Sequence, residues 1–268
     1  MELTLHKVHE RALDLSVIYI AYKQADFSEY SFTTTELEYI KKQLEADKKA
    51  VDINSYFKWS YIRIIEDDKE TYKALEKMRK QASDLHGTLK NNEHEEILLV
   101  DVSGKAQLVQ AFLEGLILRH YQFLKYKTGK AEKKSPLKHI HVLSEGIQED
   151  ELKELDFLCS GVYHARDLVN EPLSRLNAVQ LGEEFQRLAR EAGFTVDVFN
   201  KKKIESLRLY GLLAVNRGSV DPPTFSVMEW KPDNPRNEKP VVLIGKGIVY
   251  DTGGISLKPT SGMLDMKS

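Results

Sequence analysis

Residues 241–268 read VVLIGKGIVYDTGGISLKPTSGMLDMKS. The stretch opens on an apolar run, Val241, Val242, Leu243 and Ile244, that predicts a buried strand. It leaves that run through Gly245-Lys246-Gly247. It then places Asp251, the pair Gly253-Gly254 and Lys258 in a loop rich in Gly, Ser and Thr. Polar residues at the exit of a buried strand are the pattern of an α/β site, because ligands gather outside the carboxyl ends of the strands.

The chemistry of that loop follows from residue type. Asp251 is a hard oxygen donor suited to a divalent cation. Lys246 is an unusual donor, since its amine must first lose a proton; a nearby dication and partial burial both favour that loss. Gly253 and Gly254 permit positive φ and a close backbone approach. Lys258, held over a carbonyl, could stabilise a developing oxyanion. A charged surface loop after an edge strand is the competing reading, because Lys, Asp and Gly are common in loops. A phosphate loop of the GxxxxGK[ST] type is not written here, since Gly247 follows Lys246.

The rest of the chain supplies the setting. Its 268 residues suit two domains, and 41% hydrophobic with 30% charged residues allow a real core. A net charge of -2 gives no general attraction to nucleic acid or anionic membrane. The first residues lack a signal-peptide pattern, and no apolar stretch approaches the roughly 20 residues that cross a bilayer. A single cysteine, Cys159, precludes an internal disulfide. These features predict a cytoplasmic protein without membrane or nucleic-acid partners.

Residues 1–147 predict a small N-terminal α/β domain. Strands are expected at 3–8, 15–22, 60–65, 96–102 and 139–143, with the intervening segments helical or polar. A surface helix is expected within 33–48, and another after the cap candidates Asp67 and Asp68, running to about Leu85. Apolar residues at three and four residue spacing predict a core helix over 104–127. Residues 128–138 read as a charged loop. His139 and His141 share one face of their strand, a two-histidine arrangement with no further ligand adjacent in sequence.

Residues 148–268 predict a connecting helix, after which the α/β rhythm restarts; by the family resemblance that residues 245–259 carry, this segment would be the first part of an α/β catalytic domain with an incomplete mixed sheet flanked by helices. The helix spans 149–170, with Cys159 on its apolar stripe as a buried structural thiol. A helix over 178–192 closes at Gly193. Strands are expected at 194–199, 211–215 and 224–230, and a short helix at 201–207. Lys201, Lys202 and Lys203 read as a solvated helix start.

The loop residues 245–259, GKGIVYDTGGISLKP, closely resemble the signature of the cytosolic leucine aminopeptidase family of two-metal exopeptidases. Residues 114–128 (EGLILRHYQFLKYKT), 165–172 (ARDLVNEP) and 211–223 (GLLAVNRGSVDPP) are similar to other segments of that family, in the same order. The resemblance covers the chain from about residue 104 onward; the first hundred residues match in general character alone.

The resemblance implies that Lys246 ligates one metal through a neutral amine and Asp251 bridges two. Lys258 would polarise the scissile carbonyl, and Met266 would line the pocket for the first side chain of the substrate. A metal-bridging water or hydroxide would attack the carbonyl, a free substrate α-amine would bind one metal, and a bicarbonate near an arginine would shuttle the proton. Zinc or manganese would be the ions, peptides with a free N-terminus the substrates, and a homo-hexamer the assembly. The family's next ligand, an aspartate, falls one position past Ser268, and Asp265 does not hold its place in the motif. The later acidic ligands and the catalytic arginine are absent. The expectation is therefore an N-terminal part of an aminopeptidase, inactive by itself and binding metal weakly or not at all. The alternative is a non-catalytic binding or assembly module built on the first domain.

Overall fold

The computed structural model describes residues 3–11, 14–128 and 134–267. Of the expected charged loop at 128–138, residues 129–133 lie outside them. The chain forms two compact units, Met1–Arg166 and Asp167–Ser268, which divide near the end of one helix.

The first unit is built on a six-stranded mixed sheet. Its strands are β1 (Thr4–Lys7), β2 (Val17–Ala21), β3 (Ala50–Asn54), β4 (Trp59–Ile64), β5 (Glu96–Asp101) and β6 (His139–Leu143), in the spatial order β1-β6-β5-β2-β4-β3. Each neighbouring pair is parallel except the β3–β4 pair at one edge. Parallel central strands are buried on both faces and so read as continuous apolar runs, as in VIYIA and EILLVD.

Side chains alternate between two cores. Ile18, Ile20, Ile97, Leu99, Ile140 and Val142 face one of them. There they meet α2 (Thr71–Asn91), α3 (Ala106–His120) and α4 (Glu149–Asn170). Tyr19, Ala21, Ile62, Ile64, Leu98 and Val100 face the other, where Ile40 and Leu44 of α1 (Thr34–Glu45) cover them. Helix α1 starts at a full capping box: Thr33 accepts from the Glu36 amide, and the Glu36 carboxylate accepts from the Thr33 amide.

Two elements differ from expectation in extent. Helix α2 has no side-chain cap, because Asp68 Oδ1 accepts from the Glu70 amide before the first helical residue, and it continues to Asn91. Helix α3 stops at His120 rather than 127. The Tyr163 hydroxyl donates to the Ile117 carbonyl and the Arg166 guanidinium donates to Leu118 O at 2.6 Å, so side chains of α4 satisfy carbonyls of the last turn. Strand β3 was not expected at all: AVDIN is a short edge strand whose alternation covers only two buried residues, Val51 and Ile53.

The second unit carries α5 (Ala178–Ala192), β7 (Thr195–Phe199), α6 (Lys201–Ser206), α7 (Tyr210–Asn216), β8 (Phe225–Glu229) and α8 (Thr260–Met263). Strands β7 and β8 form an antiparallel pair, and Gly182 of α5 packs against Val198 of β7. Helix α5 begins at an Asn177/Gln180 capping box and ends at Gly193, whose φ of 75° only glycine adopts without strain.

The expected strand at 211–215 is a helix. Arg208 takes φ 57°, its amide donates to Glu205 O and the Leu209 amide donates to Ile204 O. This Schellman turn closes α6 and feeds the chain directly into α7, leaving no extended lead-in.

The expected buried strand at 241–244 is also corrected. No strand among the described residues pairs with this run, and Val241 and Ile244 are 80% and 96% exposed. An apolar run becomes a buried strand only where neighbours supply hydrogen bonds and cover both faces, and none of the described residues does so here. Among the described residues no helix is long and apolar enough to cross a membrane.

Candidate active site in the second unit

The loop after residue 244 folds around one carboxylate. Asp251 Oδ2 accepts from the Lys246 ammonium, and Lys258 Nζ lies 3.5 Å from the same oxygen. Asp251 Oδ1 accepts from the Gly253 amide at 3.1 Å. The carboxylate side chain is 19% exposed, against 64% for Lys246 and 31% for Lys258.

Local backbone chemistry sets this geometry. Asp251 and Gly253 make an Asx-type turn, which a short acidic side chain favours. Gly253 has φ 89° and Gly254 φ 66°. A Cβ on Gly253 would collide with the Ser256 carbonyl and sit 3.2 Å from Lys258 Cγ, so the loop closes only around a residue without a side chain. The Lys258 amide then donates to Thr252 O at 2.9 Å and brings its side chain back over Asp251. The Asp251 carboxyl is held down at about 2, first by the Lys246 hydrogen bond, then by the Gly253 amide and the attraction of both lysines.

The structure thus brings Lys246, Asp251 and Lys258 together. Met266 lies half-buried in the turn after α8, its amide 3.5 Å from Met263 O. Next to it, Lys267 donates to the Glu171 carbonyl at the end of α4. That tie was not foreseen, because a lysine bonded to a backbone carbonyl far away in sequence leaves no local pattern.

Two donors suited to a metal, Lys246 and Asp251, therefore stand side by side. Among the described residues no group of three His, Cys, Asp or Glu side chains is placed to hold a metal ion. Catalytic zinc takes about three protein ligands. The donors brought together here do not make up such a ligand set, and the Asp251 carboxylate is paired with the Lys246 and Lys258 ammoniums.

Other sequence candidates fall outside the cluster. Cys159 is fully buried, and burial pushes its thiol up to about 12, which leaves it inert as a nucleophile. Lys203 pairs with Asp197 at 3.0 Å and lies over the Phe199 ring.

Comparison with known proteins supports the resemblance read from the loop. Residues 163–268 match the catalytic domain of the cytosol aminopeptidase family. A probable cytosol aminopeptidase of Chlorobium phaeobacteroides is 40% identical over 172 residues, covering 60% of this chain and 34% of that protein. One of Brucella melitensis is 40% identical over 158 residues, covering 57% of this chain and 32% of that protein. The chain spans about a third of the length of these curated relatives.

Two solved structures share the fold. A mutant of tomato leucine aminopeptidase superposes with a TM-score of 0.69 at 17% identity, over 87% of this chain and 52% of that one. The bottromycin maturation enzyme BotP in complex with Mn gives 0.70 at 23% identity, over 94% and 52%. Over residues 163–268, then, this chain is similar to the catalytic domain of the cytosol aminopeptidase family.

Proposed function

We propose that this chain contributes to a metal-dependent aminopeptidase that releases N-terminal amino acids from peptides. The observation that carries the reading is the convergence of Lys246, Asp251 and Lys258 on one carboxylate. It lies inside the stretch that matches an aminopeptidase catalytic domain. Lys246 and Asp251 are the metal donors, with zinc or manganese as the ion. Lys258 is the electrophile: its ammonium is held by backbone geometry where it can face a developing oxyanion. Met266 lines the pocket for the first side chain of the peptide. The substrates are peptides with a free N-terminus, the assembly is a homo-hexamer and the compartment is the cytoplasm.

The 268-residue polypeptide by itself is inactive on this reading, because among the described residues Lys246 and Asp251 are the only metal donors that the loop gathers. The test uses that polypeptide with leucine p-nitroanilide and added Mn²⁺ or Zn²⁺, alongside metal analysis. No release above buffer and no tightly bound ion pair are the expected results. Turnover with two firmly bound ions would overturn the inactivity. In the whole protein, Lys258→Ala should lower kcat by about 10²–10³ with little change in KM. An unchanged kcat would remove Lys258 from the chemistry.

A second reading, a non-catalytic binding or assembly module, draws on the first unit, whose sheet is covered over most of both faces by its own helices. Peptidase activity in the whole protein that depends on Asp251 would dispose of it.

A further inference from the structure

Helix α4 ends without a cation of its own, since no residue of its last turn is basic. The chain then runs Glu171-Pro172, and proline both stops the helix and lacks an N–H. The amides that follow turn elsewhere: Arg175 and Leu176 donate to Pro172 O. The Glu171 carbonyl thus stands at the negative end of a 22-residue helix dipole, on a residue that is only 9% exposed. The Lys267 ammonium caps that end. It donates to the Glu171 carbonyl from 96 positions along the chain, and the Glu171 carboxylate attracts it as well. Both residues belong to the second unit.

The segment that carries Lys267 starts at the Asp251 cluster. From Lys258 the chain passes through Pro259 into α8, where the Gly262 and Met263 amides donate to Pro259 O. A Cβ at Gly262 would stand 3.6 Å from Lys258 Cβ, so α8 packs back on the lysine. Four residues are too few for a helix to hold its own place. Leu264 is 85% exposed and adds little packing. Residues 259–267 therefore run from one tie to another, with Lys258 at the start and the Lys267–Glu171 bond at the end. Met266 lies directly beside the second tie.

We propose that Lys267 is a positioning residue: by capping α4 at Glu171 it sets where Met266 stands relative to Lys258, and so which first side chains the substrate pocket accepts. The inference rests on the aminopeptidase reading above, in which Met266 lines that pocket. A displaced pocket wall loses apolar contact with a large side chain and little with a small one, so the effect falls on discrimination. Arginine can stand in for Lys267, because it too donates to a carbonyl and carries the charge favoured at a helix C-terminus. Glutamine is shorter and neutral and cannot.

The test compares the whole protein with its Lys267→Gln and Lys267→Arg variants on leucine and alanine p-nitroanilides. In Lys267→Gln the leucine-to-alanine ratio of kcat/KM should fall about fivefold to tenfold, through KM for leucine more than through kcat. Lys267→Arg should restore the parent ratio. Leu264→Ser, an exposed position in the same turn, should leave it unchanged. A lysine that only stabilises the fold would lower the active fraction, and so kcat on both substrates alike, with the ratio intact; that result in folded Lys267→Gln overturns the proposal. Absence of peptidase activity from the parent protein is a different failure: it removes the aminopeptidase reading, and this inference with it. A second measurement needs no activity. In the 268-residue chain the Met266 methyl resonance should move in Lys267→Gln and return in Lys267→Arg. A Met266 methyl indifferent to Lys267→Gln would overturn the proposal even where the whole-protein variant does not fold.

Discussion

The Lys258 ammonium lies 3.5 Å from Asp251 Oδ2, the oxygen that also accepts from Lys246. Two cations on one carboxylate require that the backbone carry Lys258 back toward Asp251, and that return depends on Gly253. A Cβ there meets the Ser256 carbonyl and the Lys258 side chain, and the residue would hold φ 89° besides. Gly254 differs: its φ is 66° but the space beside it is open.

Gly253→Ala should therefore destabilise the second unit by about 1–2 kcal/mol and move Lys258. Gly254→Ala should cost about 1 kcal/mol and leave Lys258 in place. Thermal melts read the first quantity, and the Lys258 side-chain NMR resonances read the second. Equal displacement of Lys258 in both variants would break the link between Gly253 and the cluster.

Helices α2 and α3 make the opposite use of glycine legible. A Cβ on Gly115 would stand 2.5 Å from Arg79 Cα, so the two backbones touch where Gly115 crosses α2. Alanine favours a helix over glycine by about 1 kcal/mol, but forcing the helices apart costs more than that gain. Gly115→Ala should lose about 2 kcal/mol or more in urea denaturation. Gly87, in α2 with nothing within 4 Å of its Cβ position, should gain about 0.5–1 kcal/mol on the same change. Opposite signs for the same substitution are the check; a gain at Gly115 would mean that the crossing is looser than the geometry requires.

The parts of the fold legible in the sequence are those with strong local signals. The apolar stripe of α4, the Asn177 and Gly193 ends of α5 and the β-branched runs of β2 and β5 each state their own structure. The errors fall where context decides. GLLAV is short and apolar, and five such residues fit a strand or a buried helical turn equally well; the αL turn at Arg208 made it α7. VVLI reads as a buried strand from composition, but burial needs neighbours that the described residues do not provide. The Lys246, Asp251, Gly253 and Lys258 spacing was visible because one tight loop holds all four. His6 lies against His139 and His141 at the sheet edge, and that cluster was half visible, since β1 and β6 are joined only in space.

The buried pair His86 and His120 predicts the pH response of the first unit. The rings sit edge-on, His86 Nε2 to His120 Nδ1 at 3.3 Å, between α2 and α3. Burial first, then His120, Arg119 and Lys90, push the His86 imidazole down to about 4. An unfolded histidine titrates near 6.5, so between these values the unfolded chain binds the proton and the folded chain does not. Stability is then full above about pH 6.5 and falls as the pH drops toward 4. Between pH 7 and pH 5 the loss from this residue should be of the order of 1 kcal/mol, allowing for solvent screening. Urea denaturation at pH 7, 6 and 5 measures it, and His86→Leu should flatten the slope. A parent chain equally stable at pH 5 and pH 7 would show that the pair accepts a proton without strain.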